Sequence, residues 1–482
     1  MSSARAALLV GCTLALGACG GGDDDGADPA PAPAPEPEFG SIAFSDLGLC
    51  KPLPVKPEYR CGSIEVPLER GDASYGTTEI GFAVLRRRDR SSPADGAFFM
   101  VEGGPGYAST GTGSSFAALM GPLLEHHDMV LVDQRGQGTS EQYDCPDLQA
   151  GLGPDFVALA DCARRLGERF ISYRTSAAAD DIDAVREALG YQQIALYGDS
   201  YGTFLGQSYA YRHGDRLEAM VLDSAYPAFG EDPWYPSLPR TGIRALQTTC
   251  DRSPDCSGDA IARLEHALEV LREKARPGTD LLNALIAAAY GPPDTYLKIN
   301  LAVSDLIDGD LTRYKRLVTP AQAGVQNGDR FQRAGEYVVG CNDYPMIWDK
   351  AASEAERRVQ FEQAMRNYPA DAFEPFTTRE VALAEETSYL ECLTWPAPTE
   401  IYEPAVDPET QEPTDAPVLV VSGEFDDLTT PFEGKTVAGF FPDSEQFVAP
   451  NAGHVDALYY PHRPAARKIR EFLARELQIK AG

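Results

Sequence analysis

Cations are scarce in this chain. Its 42 lysines and arginines face 73 aspartates and glutamates, a formal net charge of −31. A surface this acidic repels nucleic acid, which argues against a nucleic-acid partner, and suits a soluble exported protein. Histidine is scarcer still, with six in 482 residues, so every candidate base can be weighed singly. The ten cysteines include no C-x-x-C pair, and no histidine lies near a cysteine at ligand spacing. A zinc site is therefore not indicated, and no metal or organic cofactor is implied. No internal repeat is evident. The apolar run at 6–16 is too short to cross a bilayer as a mature helix. What is present is a normal hydrophobic content of 43%, enough for a sizeable core. The length allows one large domain, or a domain with a big insertion.

Residues 1–18 read as a secretory signal, with Arg5 as the only charge ahead of the apolar run. The run ends in Leu16-Gly17-Ala18-Cys19, which resembles the lipobox of bacterial lipoproteins. That resemblance implies a lipidated Cys19 as the new N-terminus. Leu9-Val10-Gly11-Cys12 fits loosely but leaves almost no apolar segment before it. Several acyl chains on one cysteine anchor stably. Residues 20–39 alternate Pro and Ala over much of their length and hold no core-forming residue before Phe39. At ~3 Å per residue such a tether reaches up to roughly 60 Å. The expectation is an exported lipoprotein, periplasmic or at the cell surface, held to a membrane only by lipid. Eight cysteines remain beyond Cys19, an even count that suggests disulfides. Pairing sequence neighbours gives the simplest set: Cys50–Cys61, Cys145–Cys162, Cys250–Cys256 and Cys341–Cys392.

Residues 63–88 alternate polar and apolar around a turn-rich GDASYG, which predicts a hairpin. Short apolar strands are predicted at 97–101, 128–132, 194–197 and 219–222. A helix is predicted at 179–189, where Ile182, Val185 and Leu189 share a face and Gly190 closes it. Strands alternating with helices indicate a mainly parallel sheet covered on both faces. The rhythm breaks after Pro227, and residues up to about 403 read as helical and loop-rich, with helices at 264–271, 281–289 and 354–368. Strands return at 417–422 and 445–449, and a last helix is predicted at 464–477. The domain reading is a signal at 1–18, a tether at 19–40, a core at 41–226, a helical lid at 227–404 and the rest of the core at 405–482.

The chain is organised around residues 193–210. There a buried strand runs into Gly198-Asp199-Ser200-Tyr201-Gly202 and then a helix. The turn fits G-x-S-x-G, the nucleophile elbow of α/β-hydrolases. A side chain at Gly198 or Gly202 would collide with strand or helix backbone. The Tyr201 amide sits at a helix N-terminus, where N–H groups are free to receive an anion. Ser200 needs a base. His126 and His127 precede a strand, His213 follows the elbow helix, His266 is on a lid helix and His462 opens the last helix. His454, in the Asn451-Ala452-Gly453-His454 turn after the last strand, falls at the strand edge level with the elbow and is the candidate base. The acid that orients it belongs in residues 423–431, where Asp426 and Asp427 are both candidates and Glu424 is more distant. The order Ser, Asp, His is the α/β-hydrolase order. The second oxyanion donor is expected in Glu102-Gly103-Gly104-Pro105-Gly106, with the Gly104 N–H paired to that of Tyr201.

GGPG at 103–106, VDQRGQGTS at 132–140, GDSYGT at 198–203, GEFDDLTTP at 423–431 and AGH at 452–454 together resemble the α/β-hydrolase serine aminopeptidases, the prolyl iminopeptidase and tripeptidyl aminopeptidase group. The resemblance covers roughly residues 60–470 and is weakest in the lid. It implies Asp426 as the acid, with Asp427 still open, and it favours the Cys341–Cys392 bridge. It implies a peptidase that releases one or a few residues from peptides with a free N-terminus, with no obligate protein partner inferred. Acids must then meet the substrate ammonium, and Asp343 and Glu102 are the residues suggested. Glu102 stands where prolyl iminopeptidases carry His. A lipase or esterase on the same scaffold is the nearest rival reading, and a non-catalytic surface-binding lipoprotein the next. An elbow serine in place of aspartate disfavours an epoxide hydrolase or dehalogenase.

Overall fold

A computed structural model describes residues 41–50, 59–151, 156–319 and 328–479. The expected signal, Cys19 and the tether lie outside the described residues. Among the described residues nine strands form one sheet: β1 (Gly48–Leu49), β2 (Arg60–Pro67), β3 (Thr77–Leu85), β4 (Gly96–Val101), β5 (His127–Val132), β6 (Ile194–Asp199), β7 (Leu217–Asp223), β8 (Val418–Gly423) and β9 (Ser444–Ala449). Their order is β1-β2-β3-β5-β4-β6-β7-β8-β9. The first three strands are antiparallel to their neighbours, including the predicted hairpin, and every later pairing is parallel.

Alternation along the central strands sends side chains to two cores. On β4, Phe98 and Met100 pack with Phe116, Leu119, Ile469 and Phe472 on one face. Phe99 and Val101 pack with Ile182, Val185, Phe204 and Leu205 on the other. Each such side chain contributes about 1.5–3 kcal/mol on burial, which is why the central strands read as nearly unbroken apolar runs. The helix predicted at 179–189 spans Thr175–Ala188. It starts earlier because the Thr175 N–H and hydroxyl both donate to Asp343, a partner 168 residues away that local periodicity does not register.

Between β7 and β8 the described residues form helices and loops and no strand. Leu264, Leu268, Leu285, Ile299 and Val303 give this helical segment a core of its own. The four neighbour-paired disulfides are all present. Cys341–Cys392 closes a 51-residue separation within the helical segment. The chain-entropy model gives about 4 kcal/mol for a loop of that size.

Candidate active site

The elbow forms as its glycines require. A Cβ on Gly198 would lie 2.2 Å from the Gly202 carbonyl oxygen, and one on Gly202 would lie 2.5 Å from that of Val101. Ser200 between them has φ 50° and ψ −123°. A non-glycine residue there carries strain of order 1–3 kcal/mol, which persists only where the surroundings over-determine it. The Ser200 N–H is held by the Asp223 carbonyl at 2.9 Å.

Three loops at the C-terminal strand ends converge on its hydroxyl. His454 Nε2 is 3.0 Å from Ser200 Oγ. His454 Nδ1 is 3.0 and 3.2 Å from the two Asp426 oxygens. Asp426 also accepts from the Leu428 N–H and from the N–H and hydroxyl of Thr429. Burial alone would raise this carboxyl. The adjacent His454 ring and these donors outweigh it and hold Asp426 below the usual carboxylate range. The His454 turn is pinned by the helical segment, since its N–H donates to Ala289 O at 2.8 Å and a Cβ on Gly453 would be 2.1 Å from the same oxygen. The Tyr290 ring stands edge-on to the imidazole, with centroids 5.2 Å apart.

Asp427 makes no hydrogen bond to His454, whose Nδ1 is held by Asp426. Asp427 is buried where a Cβ on Gly242 would touch its Oδ2, and burial and the charge of Asp426 push it far above the usual range. The other histidines stand elsewhere. His126 faces Asp89, His213 binds Asp180, His127 stacks on Phe98, and His266 and His462 are exposed. Gly104 lines the cavity that contains Ser200, and Tyr201 opens the helix Tyr201–Arg212, so its N–H has no intrahelical partner. The VDQRGQGTS turn is scaffold. Asp133 accepts from Thr110 and Thr139, and Arg135 grips Asp181 with two bonds while donating to the Leu68 and Ser172 carbonyls.

The cavity over Ser200 encloses about 520 Å³, its open mouth included. The helical segment and its approach supply Tyr226, Tyr235, Tyr290, Tyr344, Tyr389 and Glu386 to its wall. Burial raises Glu386, Glu385 beside it adds repulsion, and His454 opposes both. Nearby Glu336 is pushed up to about 7 by burial first and then by Glu386, against the pull of Arg333. The sequence reading missed Glu386 and the tyrosines. Neither residue it suggested for the substrate amine lines this wall: Asp343 is committed to Thr175, and Glu102 is buried against Asp199. A second hollow, lined by Asp95, His127 and Glu218, lies at the opposite strand ends.

Residues 96–242 match the alpha/beta hydrolase fold family, and residues 381–477 match the TAP-like protein family. Tripeptidyl aminopeptidase of Streptomyces lividans is 30% identical over 219 residues, 40% of this chain and 38% of that protein. Serine protease Hip1 of Mycobacterium tuberculosis is 28% identical over 187 residues, 34% of this chain and 35% of that protein. The match thus spans less than two-fifths of these relatives' length. Proline iminopeptidase of Mycobacterium smegmatis, a solved structure, is 18% identical with a TM-score of 0.39, over 86% of this chain and 99% of that one. With these two family matches and a mainly parallel sheet that carries a strained serine at its elbow, the chain has the α/β-hydrolase fold, and residues 381–477 are TAP-like.

Proposed function

We propose that the protein is a serine exopeptidase that cleaves one or a few residues from the free N-terminus of peptides. The observation that carries this reading is the unbroken chain of contacts from Ser200 Oγ through His454 to Asp426, opening into a cavity with an acid in its wall. His454 Nε2 takes the hydroxyl proton as Oγ bonds to the peptide carbonyl carbon. The Gly104 and Tyr201 N–H groups receive the oxyanion. His454 then gives its proton to the leaving amine as the C–N bond breaks. Water repeats the sequence on the acyl-enzyme, and the carboxylate product leaves.

Glu386 is the group that would meet the substrate ammonium, and the negative potential it shares with Glu336 and Glu385 favours a cation there. Tyrosines around it offer flat apolar walls with polar tips for the short acyl segment. A panel of tripeptidyl and aminoacyl amides, free and N-blocked, against p-nitrophenyl esters tests the reading. Preference for amides with a free amine supports it, and preference for esters regardless of the amine refutes it in favour of an esterase.

The four disulfides fit an oxidising compartment, and no described helix is long and apolar enough to cross a membrane. Export with anchoring at Cys19 belongs to the same proposal. A Cys19→Ser variant should leave the detergent phase for the aqueous phase, and unchanged partition refutes the anchor.

A further inference from the structure

Among the buried carboxyl groups that the proposed reaction leaves unused, two stand against the nucleophile. Glu102 follows the end of β4 and opens the glycine loop that carries Gly104, while Asp199 ends β6 and precedes Ser200. The two strands are neighbours, with Val101 opposite Gly198, so these side chains emerge together at one edge of the sheet. Glu102 is 7% exposed and Asp199 2%. The two carboxyl groups are close enough for each to shift the ionisation of the other. One oxygen of each, Glu102 Oε2 and Asp199 Oδ1, is buried with no hydrogen-bond partner among the described residues. Two ionised carboxylates cannot occupy such a contact, because like charges in a dry site repel strongly. One proton between them turns the contact into a charge-assisted O–H···O bond, among the stronger kinds.

We propose that Glu102 and Asp199 share a proton, and that this carboxyl–carboxylate bridge is a positioning device that clamps the 103–106 loop onto the elbow so that the Gly104 and Tyr201 amides converge on the oxyanion. The proposal rests on the reading of Ser200 as the nucleophile. The clamp has short leverage. A Cβ on Gly103 would lie 2.7 Å from Ser200 Cβ and 2.9 Å from the Asp199 carbonyl oxygen, so the loop rides directly on the elbow. A shift of about 1 Å in such a site costs about 100-fold in rate.

The surroundings hold the proton in place. Burial pushes Glu102 up to about 7, although the Thr112 hydroxyl works against it. Burial, then the charges of Glu102 and Asp223, push Asp199 well above the usual range. Tyr197 on β6 and Asp223 on β7 face Asp199, Tyr459 faces both carboxyls, and His454 acts on Asp223. Most of these groups are acidic or neutral, so the last proton leaves the pair only in alkaline solution. The bridge then becomes a repulsion, and kcat falls.

The test is the pH dependence of kcat and KM for a tripeptidyl amide, measured on the full chain with wild type, Glu102→Gln, Glu102→Ala, Asp199→Asn and, as blank, Ser200→Ala. Glu102→Gln supplies a permanent N–H donor, so kcat near neutrality should stay within about threefold of wild type and the alkaline fall should disappear. Asp199→Asn should do the same, while Glu102→Ala should lose about tenfold or more at every pH. KM should follow the substrate amine alike in all variants. A wild-type alkaline fall in Glu102→Gln, or a loss as deep as that of Glu102→Ala, overturns the proposal. Should Glu102→Ala fail to fold, the two amide variants carry the test. Turnover by Ser200→Ala would instead sink the reading of the nucleophile. The clamp is then judged in that variant by infrared spectroscopy. A protonated-carboxyl band lost in alkali supports the bridge if Glu102→Gln abolishes it and overturns the bridge if it is unchanged.

Discussion

Replacing Asp426 by Asn should nearly silence the enzyme, while the same change one residue later should not. Asp426 only accepts hydrogen bonds, so it forces His454 Nδ1 to carry the proton and leaves the Nε2 lone pair facing Ser200 Oγ. The Leu428 and Thr429 donors that now bind Asp426 would hold the amide oxygen of Asn and turn its NH₂ toward the ring. The imidazole would then switch tautomer and present N–H to the serine. It would also lose a counter-charge at 3.0 Å when it becomes an imidazolium. At an effective dielectric of 20 that contact is worth about 5.5 kcal/mol, or about 10⁴-fold in rate. Burial and the charge of Asp426 favour the neutral form of Asp427, so Asn there resembles it in charge and shape, and kcat should change less than about threefold. Turnover of a tripeptidyl p-nitroanilide, with near-ultraviolet dichroism to confirm folding, measures both. A folded Asp426→Asn enzyme that keeps more than a tenth of its activity refutes the reasoning, and so does a larger loss at Asp427.

Gly453→Ala should lower stability by about 1–3 kcal/mol, because the new Cβ would fall 2.1 Å from the Ala289 oxygen that pins the His454 turn. Urea unfolding checks it, and an unchanged midpoint would show that the helical segment does not brace the turn. Glu386→Gln should raise KM about tenfold for substrates with a free amine, with little change for N-blocked ones, as expected for one lost charged contact. Equal effects on both would contradict its role. The pH dependence of stability has a definite sign. Glu102, Asp223 and Glu336 are each raised to about 7, burial being the first cause, so their contribution is full below about pH 4 and lost as pH climbs through about 7. Asp180 and Asp426 are lowered, burial opposing the shift and their His and hydrogen-bond partners driving it, so their contribution appears above about pH 4 and is lost in stronger acid. The melting temperature should therefore be higher near about pH 5.5 than near about pH 8, and the reverse order would refute this balance.

Much of this was legible in the chain because it is local. The elbow, the oxyanion loop and the His454 turn each announce themselves within a few residues, and their order along the sequence matches the strand ends that bring them together. Neighbouring cysteines pair as the simplest arrangement predicts. Whether Asp426 or Asp427 faces the ring depends on how one loop rotates, and only the family resemblance favoured the former. The cavity wall was not legible. Tyr235, Tyr290, Tyr344 and Glu386 come from separate parts of the helical segment, with no spacing that marks them as a set. Glu102 and Asp343 were suggested for the substrate amine because they are acids near motifs. Burial against Asp199 and the hydrogen bonds to Thr175 commit them elsewhere, and neither partner is close in sequence.

Labelling with a fluorophosphonate, read by mass spectrometry of the intact protein and then of its peptides, tests the central claim most directly. The account predicts one adduct, on Ser200, with hydrolysis lost in proportion to labelling and with labelling suppressed in His454→Ala. An adduct confined to another residue, or hydrolysis that survives full modification of Ser200, would contradict it.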